Sequence, residues 1–426
     1  MISKIILIII ALLGAPLFII IAASAMIGFN QEDIDLAVMA IEIYRLADTP
    51  ILIAIPLFTF AGYLLGESNA SSRLVNLTNA LIGWLPGGLA IMALITCAIF
   101  TAFTGASGVT IVALGALLYP ALKEAGYGER FNLGLITSSG SLGVLFAPSL
   151  PLILYGVVVQ QLGTDQPVSI DDLFLAGLLP GLLMITMLSV YSMLHKRKPV
   201  VPEQKQVFDR VHVFKALRAA MWEIPLPFIV LGGIYSGYFA VSEAAAITAL
   251  YVFIVEVLIL KEIPFANLSR VVRESMVMVG GILIILGVSL ALTNYMIDTE
   301  VPMRLFESIK DHVDSKWTFL ILLNIFLLVL GMMLDIFSAL VIIVPIIFPI
   351  AMSYGINPVH LGIVFLANMQ LGYFTPPVGM NLFIASYRFN RPVMELYRAT
   401  IPYFLILFSA VLIITYWPSL TLFLLE

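Results

Sequence analysis

The sequence predicts an all-α polytopic membrane protein with an inverted repeat, two re-entrant helical hairpins and two broken transmembrane helices. Three observations predict this fold. Of the 426 residues, 61% are hydrophobic and only 11% are charged, whereas soluble domains carry about 25% charge. Apolar runs of about 20 residues, the length that crosses a bilayer, recur along the whole chain. Two segments 229 positions apart share one pattern of helix-breaking residues.

Nine full spans are predicted, at about 4–28, 49–66, 131–160, 173–194, 222–239, 241–260, 275–297, 359–387 and 399–425. The spans at 131–160 and 359–387 are expected to break in the middle, because proline and glycine interrupt them. Residues 1–25 have the basic start and small residues of a signal peptide. Their apolar run is longer than the usual stretch of about 7–15 residues, so an uncleaved first helix is expected.

Two further apolar regions, 88–121 and 317–352, each carry a small or polar interruption near the centre. The first interruption is Phe103–Gly108 and the second is Leu334–Ser338. Non-helical backbone survives at membrane depth only when it is buried in protein or lines a cavity. We therefore expect two re-entrant hairpins rather than four crossing helices.

The two hairpins and the broken spans that follow them are related by the repeat. The matching residues are Pro120 with Pro349, Gly126 with Gly355, Gly143 with Gly372, and Pro148 with Pro377. Five full spans separate the hairpins, and an odd number inverts the second copy. Duplicated, broken hydrophobic segments indicate the binding site of a secondary transporter, and inverted repeats are the basis of alternating access.

Charge placement predicts the topology. With Lys4 in the cytoplasm and both hairpins returning to their starting side, only four of the 21 basic residues lie outside: Arg45, Arg304, Lys310 and Lys316. This positive-inside bias predicts a multi-pass protein with a cytoplasmic N-terminus. Residues 1–426 form one membrane domain, in which a cytoplasmic linker at 195–218 joins the first half, 1–194, to the inverted half, 219–426. Segments 67–87 and 261–274 are expected to be amphipathic arms at the interface.

Hairpin tips expose helix ends. Helix N-termini favour an anion, whereas helix C-termini and unwound carbonyl groups favour a hard cation such as Na⁺. Neutral side-chain oxygens lie at the same depths: Thr104, Ser107, Ser138, Ser139, Ser141, Ser338, Asn368 and Thr375. Neither region contains Lys or Arg at membrane depth, so an anion would be held by helix ends, hydroxyl groups and bound cations.

Asp335 is an ionisable residue at predicted membrane depth, where charge is costly and usually functional. It could hold a cation, carry a proton, or cap the second helix of its hairpin. Glu243 is expected to order a helix start rather than to bind substrate.

The sequence has no Walker motif, Cys/His cluster or nucleophile elbow. Neither ATP-driven pumping nor enzyme activity is therefore expected. Coupling of transport to an ion gradient is expected instead.

The chain resembles the large membrane subunit of the tripartite ATP-independent periplasmic (TRAP) transporters. The segments that carry the resemblance are Phe103–Thr110, Ser139–Gly143, Gly232–Gly237 and Thr375–Phe383. The resemblance implies an elevator-type, Na⁺-coupled importer of a C4-dicarboxylate-like, sialic or sugar acid. A mobile part, 88–160 with 317–387, would move past a scaffold made of the remainder. Two partners are implied, a separate small four-helix membrane subunit and a periplasmic substrate-binding protein. The resemblance implies neither an organic cofactor nor binding of a nucleic acid.

The resemblance also implies residue roles. One Na⁺ site would use Thr104, Gly105, Ser107, Gly143 and Pro148. The other would use Gly331, Asp335, Gly372, Thr375 and Val378, largely through backbone carbonyl groups. Candidate substrate contacts are Ser139, Ser141, Ser149, Ser338, Asn368 and Asn381. The chain departs from many relatives at Ala106, where a hydroxyl residue is common, and at Ala147, where proline is common.

Two other interpretations remain open at this point. A stand-alone divalent-anion/Na⁺ symporter has a similar architecture and would transport without a binding protein. An intramembrane enzyme or a channel is the second alternative. An enzyme needs a pair of catalytic residues at one depth, and Asp335 has no evident partner in the sequence. A channel would conduct ions without saturation by substrate.

Overall fold

The computed structural model describes residues 6–7, 9–10, 13–85, 87–163, 168–195, 209–310, 313 and 315–425. Within these ranges every regular element is a helix. Seven helices in them are long and apolar enough to span a bilayer, and the bent pair Glu129–Leu145 and Leu150–Gln161 would make an eighth span. The predicted class, an all-α polytopic membrane protein, is confirmed.

The first part of the chain forms α1 (Leu17–Gln31), α2 (Ala37–Ala47), α3 (Ala54–Glu67, entered through a 3₁₀ turn at Pro50–Ile53) and α4 (Ala70–Ile82). The prediction of one helix over 4–28 is wrong in its bounds. The described residues 6–7 and 9–10 are also helical, but Gly14 has a φ of 87° and Pro16 stands immediately before α1. The predicted helix is therefore interrupted at 13–16, and α1 begins at Leu17. Lys4 lies outside the described residues.

The first hairpin consists of α5 (Gly88–Thr104) and α6 (Ser107–Glu124). Gly105 ends α5 with a φ of 64°, a backbone conformation that glycine adopts without strain. The broken helix that follows comprises α7 (Glu129–Ser139), a 3₁₀ turn at Leu142–Leu145 and α8 (Leu150–Gln161), with a bend of 42°. The hairpin and the break fall where the sequence predicts them.

The middle of the chain forms α9 (Ile170–Leu194), α10 (Arg210–Ala219), α11 (Pro225–Tyr235), α12 (Val241–Phe253, continued by a π-helix at Ile254–Ile259), α13 (Phe265–Asp298) and α14 (Val301–Lys310). Glu243 accepts a hydrogen bond from the Ala240 N–H at 2.9 Å, as predicted for a helix start. In the predicted linker 195–218, residues 196–208 lie outside the described part.

The predicted arm at 261–274 is wrong as a separate element, whereas the arm at 67–87 corresponds to the separate helix α4. Residues 265–274 are the first turns of α13, which runs unbroken for 34 residues. Pro264 precedes this helix, and no proline follows before Asp298. A helix of that length measures about 51 Å, longer than the hydrocarbon core of about 30 Å, so one end of α13 extends beyond it.

The second hairpin consists of α15 (Lys316–Met333) and α16 (Ile336–Ser353). It is followed by α17 (Pro358–Gly372), α18 (Met380–Phe389), α19 (Val393–Tyr416) and α20 (Ser419–Leu422). The repeat is visible in the backbone: Gly126 and Gly355 have φ values of 82° and 67°, and the peptide bonds before Pro148 and Pro377 are both cis. The matched breakers therefore occupy matched structural positions.

The two repeats are interlocked. The first helix of each hairpin packs on its own broken helix, α5 on the 3₁₀ turn and α15 on α17. The second helix of each hairpin packs on the other repeat, α6 on α18 and α16 on α8. Helix α13 packs along α1 through Phe29 and Tyr295, whose ring centroids are 6.1 Å apart. Hairpins and broken helices thus form one packed unit that brings both breaks together.

Candidate functional site

The first break packs directly on the backbone of the first hairpin. A methyl group at Gly143 would lie 2.3 Å from the Ala98 carbonyl oxygen and 2.5 Å from the Ala102 nitrogen. Thr101 Oγ1 donates a hydrogen bond to the Gly140 carbonyl at 2.9 Å and lies 2.7 Å from Thr110 Oγ1. Only glycine permits this approach, so Gly143 sets how closely the break and α5 meet.

The second break repeats this arrangement. A methyl group at Gly372 would lie 2.5 Å from the backbone of Gly331. The Gly379 N–H donates to the Met332 carbonyl at 3.0 Å. Each break is therefore held against the end of the first helix of its hairpin, where helix carbonyl groups lack partners in the helix.

Tyr373 and Tyr397 also hold this second junction. The Tyr373 hydroxyl accepts a hydrogen bond from the Ile336 N–H at 2.8 Å. The Tyr397 hydroxyl donates to the Pro377 carbonyl. One tyrosine thus connects the break to the start of α16, and the other connects it to α19.

The two junctions are joined by side chains. Ser107, at the start of α6, donates to Asn381 Oδ1 at 2.7 Å. The amide of Asn381 in turn donates to the Thr137 carbonyl at 3.3 Å. Both Ser107 and Asn381 are buried. Asn381 therefore links α18 of the second repeat to α6 and α7 of the first.

The residues predicted for the first Na⁺ site lie at this first junction. Among the described residues, the buried Thr104 hydroxyl has no hydrogen-bond partner. A methyl group at Gly105 would lie 2.5 Å from the Leu150 side chain, so the tip touches the start of α8. Pro148 is buried, and the Ser107 hydroxyl is engaged with Asn381. An orphaned hydroxyl beside the end of α5 offers the oxygen donors that Na⁺ prefers.

The second predicted Na⁺ site is centred on Asp335. Its Oδ1 accepts hydrogen bonds from the Phe337 and Ser338 N–H groups at 3.0 Å each, and its Oδ2 accepts from the Ser338 hydroxyl. The predicted cap of α16 is confirmed. Thr375 Oγ1 donates to the Leu371 carbonyl at 2.7 Å, and Val378 is 43% exposed. The carboxylate keeps lone pairs beyond its three hydrogen bonds, so the donor set fits a cation.

The candidate substrate contacts do not all meet. Asn368 donates to Asn324 Oδ1 at 2.6 Å, away from the hairpin tips and toward α15. Ser338 is part of the Asp335 cap, and Ser139 donates to the Ile136 carbonyl at 3.3 Å. Ser149 stands immediately before α8, and its buried hydroxyl has no hydrogen-bond partner in the described ranges. Ser141 stands at the start of the first break and donates to the Gln370 carbonyl at 3.3 Å. Of the six candidates, Ser141, Ser149 and Asn381 therefore lie at or beside the breaks.

Sequence reasoning missed several residues of the two junctions: Thr101, Thr110, Gln370, Tyr373 and Tyr397. Thr101 and Thr110 flank the first tip as isolated hydroxyls in apolar runs, a signal that was available. Gln370 contributes a backbone carbonyl, to which Ser141 Oγ donates at 3.3 Å. A carbonyl contact of this kind leaves no mark in the sequence.

Comparison with known proteins identifies the family. The family model described as "Tripartite ATP-independent periplasmic transporter, DctM component" matches residues 3–420. A C4-dicarboxylate TRAP transporter large permease of Rhodobacter capsulatus is 34% identical over 401 residues, covering 92% of this chain and 91% of the relative. An ectoine/5-hydroxyectoine TRAP transporter large permease of Ruegeria pomeroyi is 31% identical, covering 98% of this chain and 96% of the relative.

A third relative and one solved structure extend the comparison. The isethionate TRAP transporter permease of Oleidesulfovibrio alaskensis is 33% identical over 87% of this chain, which covers 58% of that longer protein. The crystal structure of the YdaH transporter of Alcanivorax borkumensis shares the fold, with a TM-score of 0.60 and 14% identity. The matched region covers 87% of this chain and 85% of the YdaH chain.

These relatives are transporter permeases rather than enzymes. The match spans nearly the whole chain, and it includes both hairpins and both broken helices. The chain is thus a multi-pass membrane protein and one component of a three-part transport system. It belongs to the large membrane subunits of the TRAP transporters.

Proposed function

We propose that this subunit carries out Na⁺-coupled import of a small organic acid across the bacterial inner membrane. The observation that carries the proposal is the pair of matched junctions. In these junctions Gly143 and Gly372 allow the two breaks to pack closely against α5 and α15. The Ser107–Asn381 hydrogen bond at 2.7 Å joins them. Two equivalent sets of helix ends around one centre suit two cations with an anion between them.

The chemistry of the junctions supports a cation and an anion together. The residues that line the tips and breaks, 103–108, 143–149, 331–338 and 372–381, include no Lys or Arg. A carboxylate substrate would therefore need bound cations or helix N-termini to balance its charge. Na⁺ would supply that charge, held by Thr104 and nearby carbonyl groups at one junction and by the Asp335 region at the other.

The packing supports elevator-type movement. Hairpins and broken helices, residues 88–160 and 317–387, interlock through α6 with α18 and α16 with α8. We propose that they move as one body past the scaffold, which is built from the remaining helices. A rigid moving unit would keep the Ser107–Asn381 link between the two junctions intact during transport, because both residues belong to that unit.

The substrate and partners follow from the relatives as proposals. A C4-dicarboxylate is the first candidate, since the permeases of Rhodobacter capsulatus and Pseudomonas aeruginosa, 34% and 33% identical, are named for it. Sialic and other sugar acids are the next candidates. The description of the family as tripartite supports two partners, a small four-helix membrane subunit as a separate chain and a periplasmic substrate-binding protein.

Reconstitution tests the proposal. The subunit would be placed in proteoliposomes with the small subunit, and the binding protein would be added outside with radiolabelled succinate, malate or sialic acid. We expect uptake only with all three components and an inward Na⁺ gradient. Uptake that is unchanged when K⁺ replaces Na⁺ would refute the coupling. Uptake without the binding protein would instead support the stand-alone symporter, and ion conductance without saturation would support a channel.

A further inference from the structure

A cluster of four charged residues lies outside the site described above. Arg73 of α4 contacts Glu223, before α11, at 2.5 Å and Glu256, in the π-helix, at 3.1 Å. It also pairs with Glu262, before α13. The four side chains of this Arg73 cluster are 13%, 4%, 1% and 17% exposed, in the same order. The cluster joins three parts of the scaffold that are distant in sequence.

The charges of the Arg73 cluster do not balance. Three carboxyl groups surround one guanidinium group, which stays protonated in proteins. Burial alone would lower the pKa of Arg73, but hydrogen bonds and charge attraction from the glutamates raise it. Oε2 of Glu223 is buried and has no hydrogen-bond partner within the described ranges. Two uncompensated negative charges in such a place would be strongly destabilising.

The backbone holds these carboxyl groups together. Glu256 lies in the six-residue π-helix Ile254–Ile259, and its carbonyl accepts a hydrogen bond from the Glu262 N–H at 2.9 Å. Glu262 Oε2 accepts another from the Asn69 N–H at 2.7 Å. π-helical turns are rare and frequently occur at functional sites. The close approach of like charges is therefore built into the main chain.

Other ionisable groups near the cluster are already engaged. Arg73, Glu223 and Glu262 are the charged groups that act on Glu256. Tyr251 of α12 donates to the Trp222 carbonyl at 2.9 Å. Glu67, on the neighbouring helix α3, pairs with Arg270 of α13. Within the described residues, no second basic group is paired with these three carboxyl groups.

We propose that the Arg73 cluster is a proton-binding site, in which its three carboxyl groups share one proton at neutral pH. The bound proton turns one carboxylate into a hydrogen-bond donor toward its neighbour, such as the unpartnered oxygen of Glu223. Raising the pH releases that proton to solvent and leaves two net negative charges around Arg73. The attachment of α4 to α11 and α12 then weakens.

The position of the cluster gives the proton a consequence for transport. Helix α4 leads directly into α5, the first helix of the first hairpin. The positive-inside pattern assigns this end of the scaffold to the cytoplasm. The Arg73 cluster would therefore make the support of the moving hairpin sensitive to internal pH, separately from any ion that is coupled to transport.

Thermal unfolding of the full chain in detergent, without partners or substrate, tests this proposal. We expect the unfolding temperature of the wild type to fall by about 2 °C per pH unit between about pH 6 and pH 8. The native state would retain a proton that glutamate in the unfolded chain, with a pKa of about 4.3, has already released. The E256Q variant mimics the protonated carboxyl group and should remove this dependence. The E67Q variant, at an exposed ion pair, should keep it.

Further variants and ions separate the alternatives. E223Q should also flatten the dependence if E256Q fails to fold, whereas R73Q should steepen it by removing the only positive charge of the cluster. Equal slopes in the wild type, E256Q and E223Q would overturn the proposal. Stabilisation of the wild type at about pH 8 by Na⁺ but not by K⁺, lost in E256Q, would also overturn it by making the cluster a cation site. Because no transport is measured, these outcomes are independent of the proposed substrate and coupling.

Discussion

Ser141 donates a hydrogen bond through its Oγ to the carbonyl oxygen of Gln370 at 3.3 Å, and the two residues are 229 positions apart. This separation equals the offset between the two repeats. A residue that touches its own equivalent in the other repeat must lie near the axis that relates them. The centre of the internal symmetry therefore coincides with the point where both broken helices are interrupted.

Adding a methyl group at either break should disrupt the site. In G143A and G372A the new Cβ would lie 2.3 Å from the Ala98 oxygen and 2.5 Å from Gly331, respectively. Because backbone atoms cannot move aside easily, we expect a stability loss of about 1–3 kcal/mol and strongly reduced transport. Thermal unfolding and uptake in proteoliposomes measure the two effects.

Gly280 provides a matched control for these variants. It lies within α13, and a methyl group added there would meet no atom within 4 Å beyond the backbone of its own helix. G280A should therefore be neutral, or stabilising by up to about 1 kcal/mol through helix propensity. Equal behaviour of G143A and G280A would contradict the close packing of the first break.

Substitutions at Asp335 should separate its capping role from its charge. D335N keeps a good N-cap, so its unfolding temperature should stay close to that of the wild type, whereas D335A should lose about 1 kcal/mol. If the charge contributes to a cation site, D335N should need about tenfold more Na⁺ for half-maximal uptake. An unchanged Na⁺ dependence in D335N would leave capping as the only role of Asp335.

The Ser107–Asn381 link should be needed for transport. In N381A, the Ser107 hydroxyl and the Thr137 carbonyl lose their partner, which costs about 1–3 kcal/mol. We expect uptake to fall at least about tenfold, and S107A to have a smaller effect in the same direction. S353A changes an exposed serine that bonds only within its own helix, and it should transport like the wild type. Normal uptake by N381A would exclude Asn381 from the site.

The two breaks should differ in their access to water. Val378 is 43% exposed, whereas Ser149, beside the first break, is 1% exposed. After replacement of the one cysteine, the buried Cys97, a cysteine at Val378 should react rapidly with a thiol reagent and a cysteine at Ser149 slowly. Equal reaction rates would contradict the asymmetry of the described conformation.

The positions of the helix breaks were predictable because the residues that cause them act locally. Gly105 and Pro148 disrupt helix geometry whatever surrounds them, so the first tip and the first break fall where the sequence indicates. Boundaries without such residues were not predictable. The arm predicted at 261–274 continues into α13, because charged residues on a helix do not end it. Gly14 and Pro16 also act locally, and they interrupt the apolar run that was predicted as one helix over 4–28. That interruption was therefore recognisable in the sequence but was missed.

The candidate site was predictable in composition but not in pairing. Hydroxyl and amide residues near the tips could be recognised as possible ligands, since such residues are rare in apolar helices. The sequence did not indicate that Ser107 bonds to Asn381, 274 positions away, or that Asn368 turns toward Asn324. These pairings depend on how α6 meets α18 and how α15 meets α17.

The sequence by itself determined the membrane class, the repeat, its inversion and the location of both hairpins, because these features arise from composition, spacing and residues that act within one turn of helix. Only the tertiary structure decided which residues meet. The joining of the two junctions by Asn381, the contact at the symmetry axis and the surplus of carboxyl groups around Arg73 all require helices distant in sequence to pack together. Burial then determines which of those polar groups find a partner and which remain available for a ligand.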